Sequence, residues 1–219
     1  MPFVVKLAGD EPGFLHTPEV WLMLWEEHRH RLDHFWALLD DDERRRAKDF
    51  VFDFHRERFV IGHGWSREIL GAYADEEPWA LKFSQNEYGR PHLVGTDLSF
   101  NRSYGGAWVM LGVGRDCIVG VDVEEVVVRR DLSEMVERYF SPVEVLQFRA
   151  LTPSQHLDGF YRGWSRKEAY IKARGMGLSL PWHCFDVSLS ESSGTRSLML
   201  KSDDRKRRWS LYEVPGANG

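Results

Sequence analysis

The stretch LSFNRSYGGAWVMLGVGRDCIVGVDVEEV, Leu98–Val126, decides how the chain is read. Apolar residues alternate with polar or small ones, break at Gly105 and Gly106, resume, break again near Asp116 and resume once more. That pattern is strand, turn, strand, turn, strand. On a strand, residues two apart share a face, so Val121 and Val123 point one way and Asp122 and Glu124 the other. Two carboxylates with neighbouring Cβ atoms repel unless a cation sits between them. Hard oxygen ligands favour Mg²⁺ or Mn²⁺. Taken alone, the pair also suits a half-exposed strand with a polar face.

Downstream, GWSRKEAYIKARGMG, Gly163–Gly177, has the helical period. Phe160, Trp164, Glu168 and Lys172 recur every four residues along one face. The plain account is an i,i+4 Glu–Lys pair, worth only about 0.2–0.5 kcal/mol. A surface pair needs no tryptophan, however, and the exit through two glycines is unusual. The functional account makes Glu168 a third oxygen ligand beside Asp122 and Glu124, with Lys172 near a metal-bound phosphate. Mg²⁺ held by a few carboxylates completes its shell with water and phosphate oxygens, which points to phosphoryl-type transfer. A nuclease is the rival on this chemistry. The nuclease pattern, though, sets acid and lysine two apart on a strand, and no aromatic-interleaved basic groove is present.

The flanks complete an α+β picture. FVVKL near the start reads as a strand. Pro18 to Leu39 has a helical stripe of Trp21, Leu24, Trp25, Leu32, Phe35, Leu38 and Leu39. LLDDDERRRAKDF opens a helix with an acidic first turn, and a longer helix is expected over about Asp53–Tyr73. NEYGRPHL is turn chemistry around Arg90. Ser141 reads as an N-cap with Pro142 at the first helical position, and the last long helix ends at Gly175. FDVSLS, RSLMLKS and RRWSLYEV read as a β-meander. No low-complexity segment or obvious repeat is seen. Two subdomains are expected, 1–115 and 116–219, each with a small antiparallel sheet and one long helix.

Bulk properties narrow the class. Of 219 residues, 42% are hydrophobic, enough for one good core or two small ones. No stretch approaches the ~20 apolar residues of a membrane helix, and the start has no secretory pattern. Cys117 and Cys184 form no paired motif, which suits a reduced cytoplasmic setting. The formal charge of −5 argues against a dedicated nucleic-acid binder. Local basic clusters in both halves suit a compact polyanion instead. His28, His30 and His34 have no standard metal spacing and read as a solvated helix face. Lys201–Trp209 reads as a charged turn.

VGVDVEEV and FYRGWSRKEAYIKARGMGLSLP resemble the signature pair of the 4′-phosphopantetheinyl transferases, of the larger surfactin-synthetase-activating type. FNRSYGG, Phe100–Gly106, matches the family's upstream Phe-Asn-x-Ser-His run. FSQNEYGRPHL and the segments RRRAKDF and HRERFVIGHGWSREIL resemble further family segments, so the likeness spans roughly Asp40–Leu189. The resemblance implies a pseudo-twofold monomer with coenzyme A in the cleft between subdomains. It implies transfer of the phosphopantetheine arm to a serine of an acyl- or peptidyl-carrier protein, with adenosine 3′,5′-bisphosphate leaving. By position, Asp122, Glu124 and Glu168 would hold Mg²⁺, or Mn²⁺. Lys172 would hold the pyrophosphate, and Ser103 lies where the family contacts phosphate. Arg90 and Arg58, with Arg44 or Arg46, would take the 3′-phosphate. Glu168 or a metal-bound water would be the base. No membrane or nucleic-acid partner is implied.

Two departures stand out. Tyr104 replaces the family histidine, which predicts weaker pyrophosphate binding or slower turnover, because a phenol carries no positive charge near pH 7. The sequence also stops at YEVPGANG, where relatives commonly run into at least one further strand; if that strand is absent, the C-terminal sheet has an unpaired edge. On these two points rests the rival from another class, a non-catalytic homologue that binds coenzyme A or a carrier domain without transfer.

Overall fold

The computed structural model describes residues 2–8, 18–190, 196–197, 199–200 and 208–214. In chain order come β1 (Pro2–Ala8), β2 (Glu19–Leu24), a 3₁₀ segment over Trp25–Arg31, α1 (Leu32–Leu38), α2 (Asp41–Lys48) and α3 (Asp53–Ala74). They are followed by β3 (Phe83–Gln85), β4 (Pro91–Leu93), β5 (Leu98–Gly105), β6 (Trp108–Arg115) and β7 (Val119–Val123). The last group is α4 (Leu132–Tyr139), α5 (Pro142–Ala150), α6 (His156–Arg174), β8 (Phe185–Asp186), β9 (Arg196–Ser197), β10 (Met199–Leu200) and β11 (Arg208–Glu213). The architecture is α+β with small antiparallel sheets.

Local chemistry starts and stops the helices as the sequence suggests. Asp40 caps α2 by accepting the Glu43 N–H at 2.9 Å, and Glu43 accepts the Asp40 N–H in return. Ser141 and Glu144 make the same reciprocal pair at the start of α5. Gly175 ends α6 at φ 64°, a left-handed position glycine takes without strain. The long helices carry buried cations that reach those caps. Arg67 of α3 bonds Glu43 at 2.6 Å and Asp40 at 2.5 Å. Lys167 of α6, fully buried, lies 2.9 Å from Glu144. The tetrapeptide GWSR occurs in both helices, at 64–67 and 163–166.

Three strands form one sheet in the order β2-β6-β5, and four form another in the order β7-β1-β11-β9. The first strand therefore lies within the sheet of the C-terminal half, antiparallel to both β7 and β11. β11 sits between β1 and β9, so the expected unpaired edge is not at this strand. The charged turn expected at Lys201–Trp209 falls almost wholly outside the described residues.

The helix expected over Pro18–Leu39 is corrected. Only Leu32–Leu38 is α-helical, and Glu19–Leu24 is a strand paired with β6, Trp21 opposite Leu111. β6 is buried along six of its eight residues, so its backbone needs partners on both sides. β5 satisfies one side. The second side captures residues 19–24, and hydrogen-bond demand overrides their helical stripe.

The two sheets meet through side chains rather than a backbone ladder. Val119 donates its N–H to Ser99 Oγ at 3.2 Å, Val121 to Asn101 Oδ1 at 2.9 Å and Val123 to Ser103 Oγ at 3.3 Å. Alternate residues of β5 thus complete the free side of β7. On the other face of β7, Gly120 lets α6 come close. A Cβ there would stand 2.1 Å from the Ala169 carbonyl. That approach brings the middle of α6 onto the acidic strand.

Candidate active site

Asp122 is not on a half-exposed face. It is 2% exposed, pressed between β5 and α6. Lys172 lies 2.6 Å from Asp122 Oδ1 and 2.8 Å from Ser103 Oγ, and Ser103 donates to the same carboxylate oxygen at 3.0 Å. Three residues from three elements therefore meet at one point. Asp122 Oδ2 is buried with no hydrogen-bond partner. A buried carboxylate oxygen without a partner carries a desolvation cost that a bound cation or donor removes.

Trp164 explains its place in the stripe. Its indole N–H donates to Glu124 Oε1 at 3.1 Å and so orients that side chain. Burial pushes the Glu124 carboxyl up to about 7, and the charges of Asp122 and Glu168 push in the same direction against Lys172 and Trp164. Glu168 is raised too, by burial and by Asp122, with Lys172 opposing. The three carboxylates thus feel one another electrostatically. Among the described residues no three His, Cys, Asp or Glu side chains are drawn together tightly enough to hold a metal as they stand. Lys172 neutralises Asp122 in this arrangement. The donor set, all carboxylate oxygen with one orphaned atom, is the chemistry that fits a hard divalent cation.

Two cavities flank this point. The smaller, about 230 Å³, is lined by Glu168, Lys172, Arg90 and Asn101 among others. The larger, about 940 Å³, lies between α2, the β3–β4 hairpin and β5, and is lined by Arg45, Arg46, His63, Arg102 and Tyr104 among others. Gly89, Pro91 and Asn101 line both. Successive strand residues face opposite ways. Accordingly Ser103 serves the Asp122 side, whereas Tyr104 lines the larger cavity. Gly62 of α3 makes room for Tyr104, since a Cβ there would stand 2.5 Å from the phenol oxygen.

The four arginines expected at a phosphate are dispersed. Arg90 bonds the Ala173 carbonyl, Ser99 Oγ at 3.1 Å and the Val119 carbonyl at 3.1 Å, bracing the hairpin loop against α6 and β7 while edging the smaller cavity. Arg44 lines neither cavity and donates to the carbonyls of Trp36 and Ala37 at the end of α1. Arg58 bonds the Gly106 carbonyl at 3.3 Å and lies over the rings of Phe54 and Tyr104. Arg46 lines the larger cavity, over the Phe59 ring. Arg102, which sits at the variable position of the FNRSY run, faces the same cavity. Alternation along β5 was the signal that could have found it.

Comparison with known proteins agrees with this geometry. Residues 118–217 match the 4′-phosphopantetheinyl transferase superfamily. The 4′-phosphopantetheinyl transferase HetI of Nostoc sp. is 34% identical over 164 residues, covering 73% of this chain and 69% of that protein. A 4′-phosphopantetheinyl transferase of Bacillus subtilis is 32% identical, covering 73% of this chain and 70% of its own length. The 4′-phosphopantetheinyl transferase Sfp of Bacillus subtilis is 30% identical over 187 residues, covering 84% and 81%. The acid and lysine side chains that meet beneath β5, and relatives that align across most of both chains, lead to one conclusion: this chain belongs to the 4′-phosphopantetheinyl transferase superfamily and is one of its enzymes.

Proposed function

We propose that the protein transfers the 4′-phosphopantetheine arm of coenzyme A to a serine of an acyl- or peptidyl-carrier protein and releases adenosine 3′,5′-bisphosphate. The observation that carries this is the pair of cavities that share Gly89, Pro91 and Asn101, one lined by Glu168 and Lys172, the other by Arg45, Arg46 and Arg102. Coenzyme A has a matching shape, with a pyrophosphate at one point and a separate 3′-phosphate at another, about four negative charges together. The pyrophosphate is assigned to the smaller cavity and the adenosine 3′-phosphate to the larger. Arg46 serves the 3′-phosphate, Arg58 lies over the Tyr104 ring that lines the same cavity, and Arg90 holds the loop that the two cavities share.

Asp122, Glu124 and Glu168 would hold Mg²⁺, or Mn²⁺, through carboxylate oxygens including the unpartnered Asp122 Oδ2. When bound, that ion offsets charge on the pyrophosphate. The protein's own groups do the rest. Ser103 and Lys172 orient a non-bridging phosphate oxygen, and Lys172 meets the charge growing on the leaving phosphate. The carrier serine Oγ bonds the phosphorus that bears pantetheine. The bond from that phosphorus to the bridging oxygen breaks, and adenosine 3′,5′-bisphosphate leaves with the electron pair. Glu168 takes the serine proton. Burial and the charge of Asp122 hold its affinity for protons above that of an ordinary carboxylate, against Lys172.

The wider assignment is a cytoplasmic monomer of two subdomains, 1–115 and 116–219, related by a pseudo-twofold with the site in the cleft between them. β1 is the exception, since it crosses to the second sheet. Matched construction supports the pseudo-twofold. In each half a capping-box glutamate meets a buried cation of the following long helix, Glu43 with Arg67 and Glu144 with Lys167.

The test is intact-mass measurement of an apo carrier protein incubated with this enzyme, coenzyme A and Mg²⁺, beside an EDTA control. A gain of one phosphopantetheine arm, abolished by EDTA, is expected. Binding of coenzyme A with no gain on any of several carriers would make the chain a binding homologue instead.

A further inference from the structure

Two of the arginines that line the larger cavity are not paired with its carboxylates. Arg45 pairs with Asp42, whereas Arg46 and Arg102 form no ion pair among the described residues. Of the four lining carboxylates, Asp40 and Glu43 are held by Arg67, with His63 also on Glu43, and Asp42 is held by Arg45. Asp49, at the end of α2, is the fourth. The half-buried Arg102 and the exposed Arg46 face one cavity without counterions among the described residues, and together they constitute an anion site.

Arg102 is held for that purpose. One of its N–H groups donates to the Tyr104 hydroxyl at 3.4 Å, and its guanidinium carbon lies 6.0 Å from the Tyr104 ring centre. A guanidinium has five N–H donors, so this bond orients the fork and leaves its other donors for a ligand. Both residues are on the α3 side of β5. Ser103, between them, points to the opposite side, where it bonds Lys172 and Asp122. Arg102 and the Ser103–Lys172 pair therefore face opposite sides of β5, and a single ligand that meets both needs two separated anionic groups.

Resting on the assignment of coenzyme A above, we infer that Arg102, positioned by Tyr104 and assisted by Arg46, binds the 3′-phosphate of coenzyme A. A phosphomonoester dianion matches two arginine forks better than a single point charge. Tyr104 contributes here as a positioning residue, and the cation comes from Arg102.

The test compares coenzyme A with 3′-dephospho-coenzyme A by titration calorimetry on the wild type, Arg102→Gln and Arg102→Lys, with folding checked by circular dichroism. Losing a charge-assisted contact predicts that Arg102→Gln weakens coenzyme A binding about 10- to 100-fold. Binding of the dephospho form should change less than about twofold. Arg102→Lys should recover part of the loss, because it keeps the charge without the fork. Equal weakening of both ligands, or unchanged binding of coenzyme A, would overturn the inference while leaving the transferase assignment standing. A wild type that binds neither ligand and modifies no carrier would overturn both.

Discussion

The side-chain oxygen of Asn101 accepts the backbone N–H of Val121 at 2.9 Å, so an amide side chain stands where a sheet partner's carbonyl would be. Asn101 is buried and also lines both cavities. Asn101→Leu would leave the Val121 N–H buried without an acceptor, at a cost of about 1–3 kcal/mol. Urea unfolding should show the midpoint falling by a corresponding amount. An unchanged midpoint would mean that water or a shifted neighbour replaces the amide and that the seam is not held by this bond.

Gly120 sets the distance between β7 and α6. Gly120→Ala would place a Cβ 2.1 Å from the Ala169 carbonyl and 2.5 Å from the Ala173 nitrogen, both backbone atoms of the helix. The helix must retreat, which costs about 1–3 kcal/mol. Lys172 moves with it, so transfer should fall more steeply than stability alone accounts for. Full activity in a stable Gly120→Ala protein would contradict the close approach.

Lys172 and Asp122 form an ion pair with one fully buried partner. Lys172→Met strands the Asp122 charge, and breaking such a pair from one side costs about 3–5 kcal/mol when both partners are buried. Lys172 is 28% exposed, so a loss of about 2 kcal/mol is expected in EDTA. Added Mg²⁺ should recover part of this thermal shift, because it supplies the missing positive charge. A melting temperature equal to wild type in EDTA would show that Asp122 is not relying on Lys172.

Asp122→Ala and Glu168→Gln should each lower transfer by roughly 10²-fold or more while the circular dichroism spectrum is kept. The gain in mass on the carrier protein measures this directly. Retained transfer in both variants would remove these residues from the site.

Acid stability turns on the buried pair behind the larger cavity. Burial, joined by the charge of Arg102, holds the His63 imidazole down at about 3 against the pull of Glu43. For Glu43, burial alone would raise the carboxyl, but the His63 bond and the charges of His63 and Arg67 outweigh it and hold it at about 2. Both groups bind protons more readily when unfolded. The stability due to His63 is complete above pH 6.5 and drains as pH falls towards 3, and that of Glu43 drains below 4.5. Between pH 6.5 and 4.5 the unfolding free energy should drop by ~1 kcal/mol per pH unit from His63. His63→Gln, which keeps a donor for Glu43, should flatten that slope. The same slope in wild type and His63→Gln would assign the acid sensitivity elsewhere.

Much of the site is legible in the sequence. Asp122 and Glu124 on a strand, and Glu168 and Lys172 one helical turn apart, are relations that short-range periodicity encodes. The caps at Ser141 and Gly175 are equally local. Burial is not legible: Asp122 reads as half-exposed because the sequence shows alternation but not what covers each face. Arg90 and Arg44 read as ligand residues only through the family resemblance, by position. In the folded protein both also bond backbone carbonyls, and Arg90 edges the smaller cavity; those partners are visible only once the distant elements are in place.

The strand–turn–strand run of Leu98–Val126, the long helices and the acid–lysine set follow from the amino-acid order alone, because each depends on residues a few positions apart. Long-range assembly was needed to pair residues 19–24 with β6, to set β1 between β7 and β11, and to bring Ser103 against Asp122 and Lys172 while Tyr104 lines the larger cavity. Those outcomes depend on which distant backbone groups still lack hydrogen-bond partners after the local elements have formed. No local window contains that information.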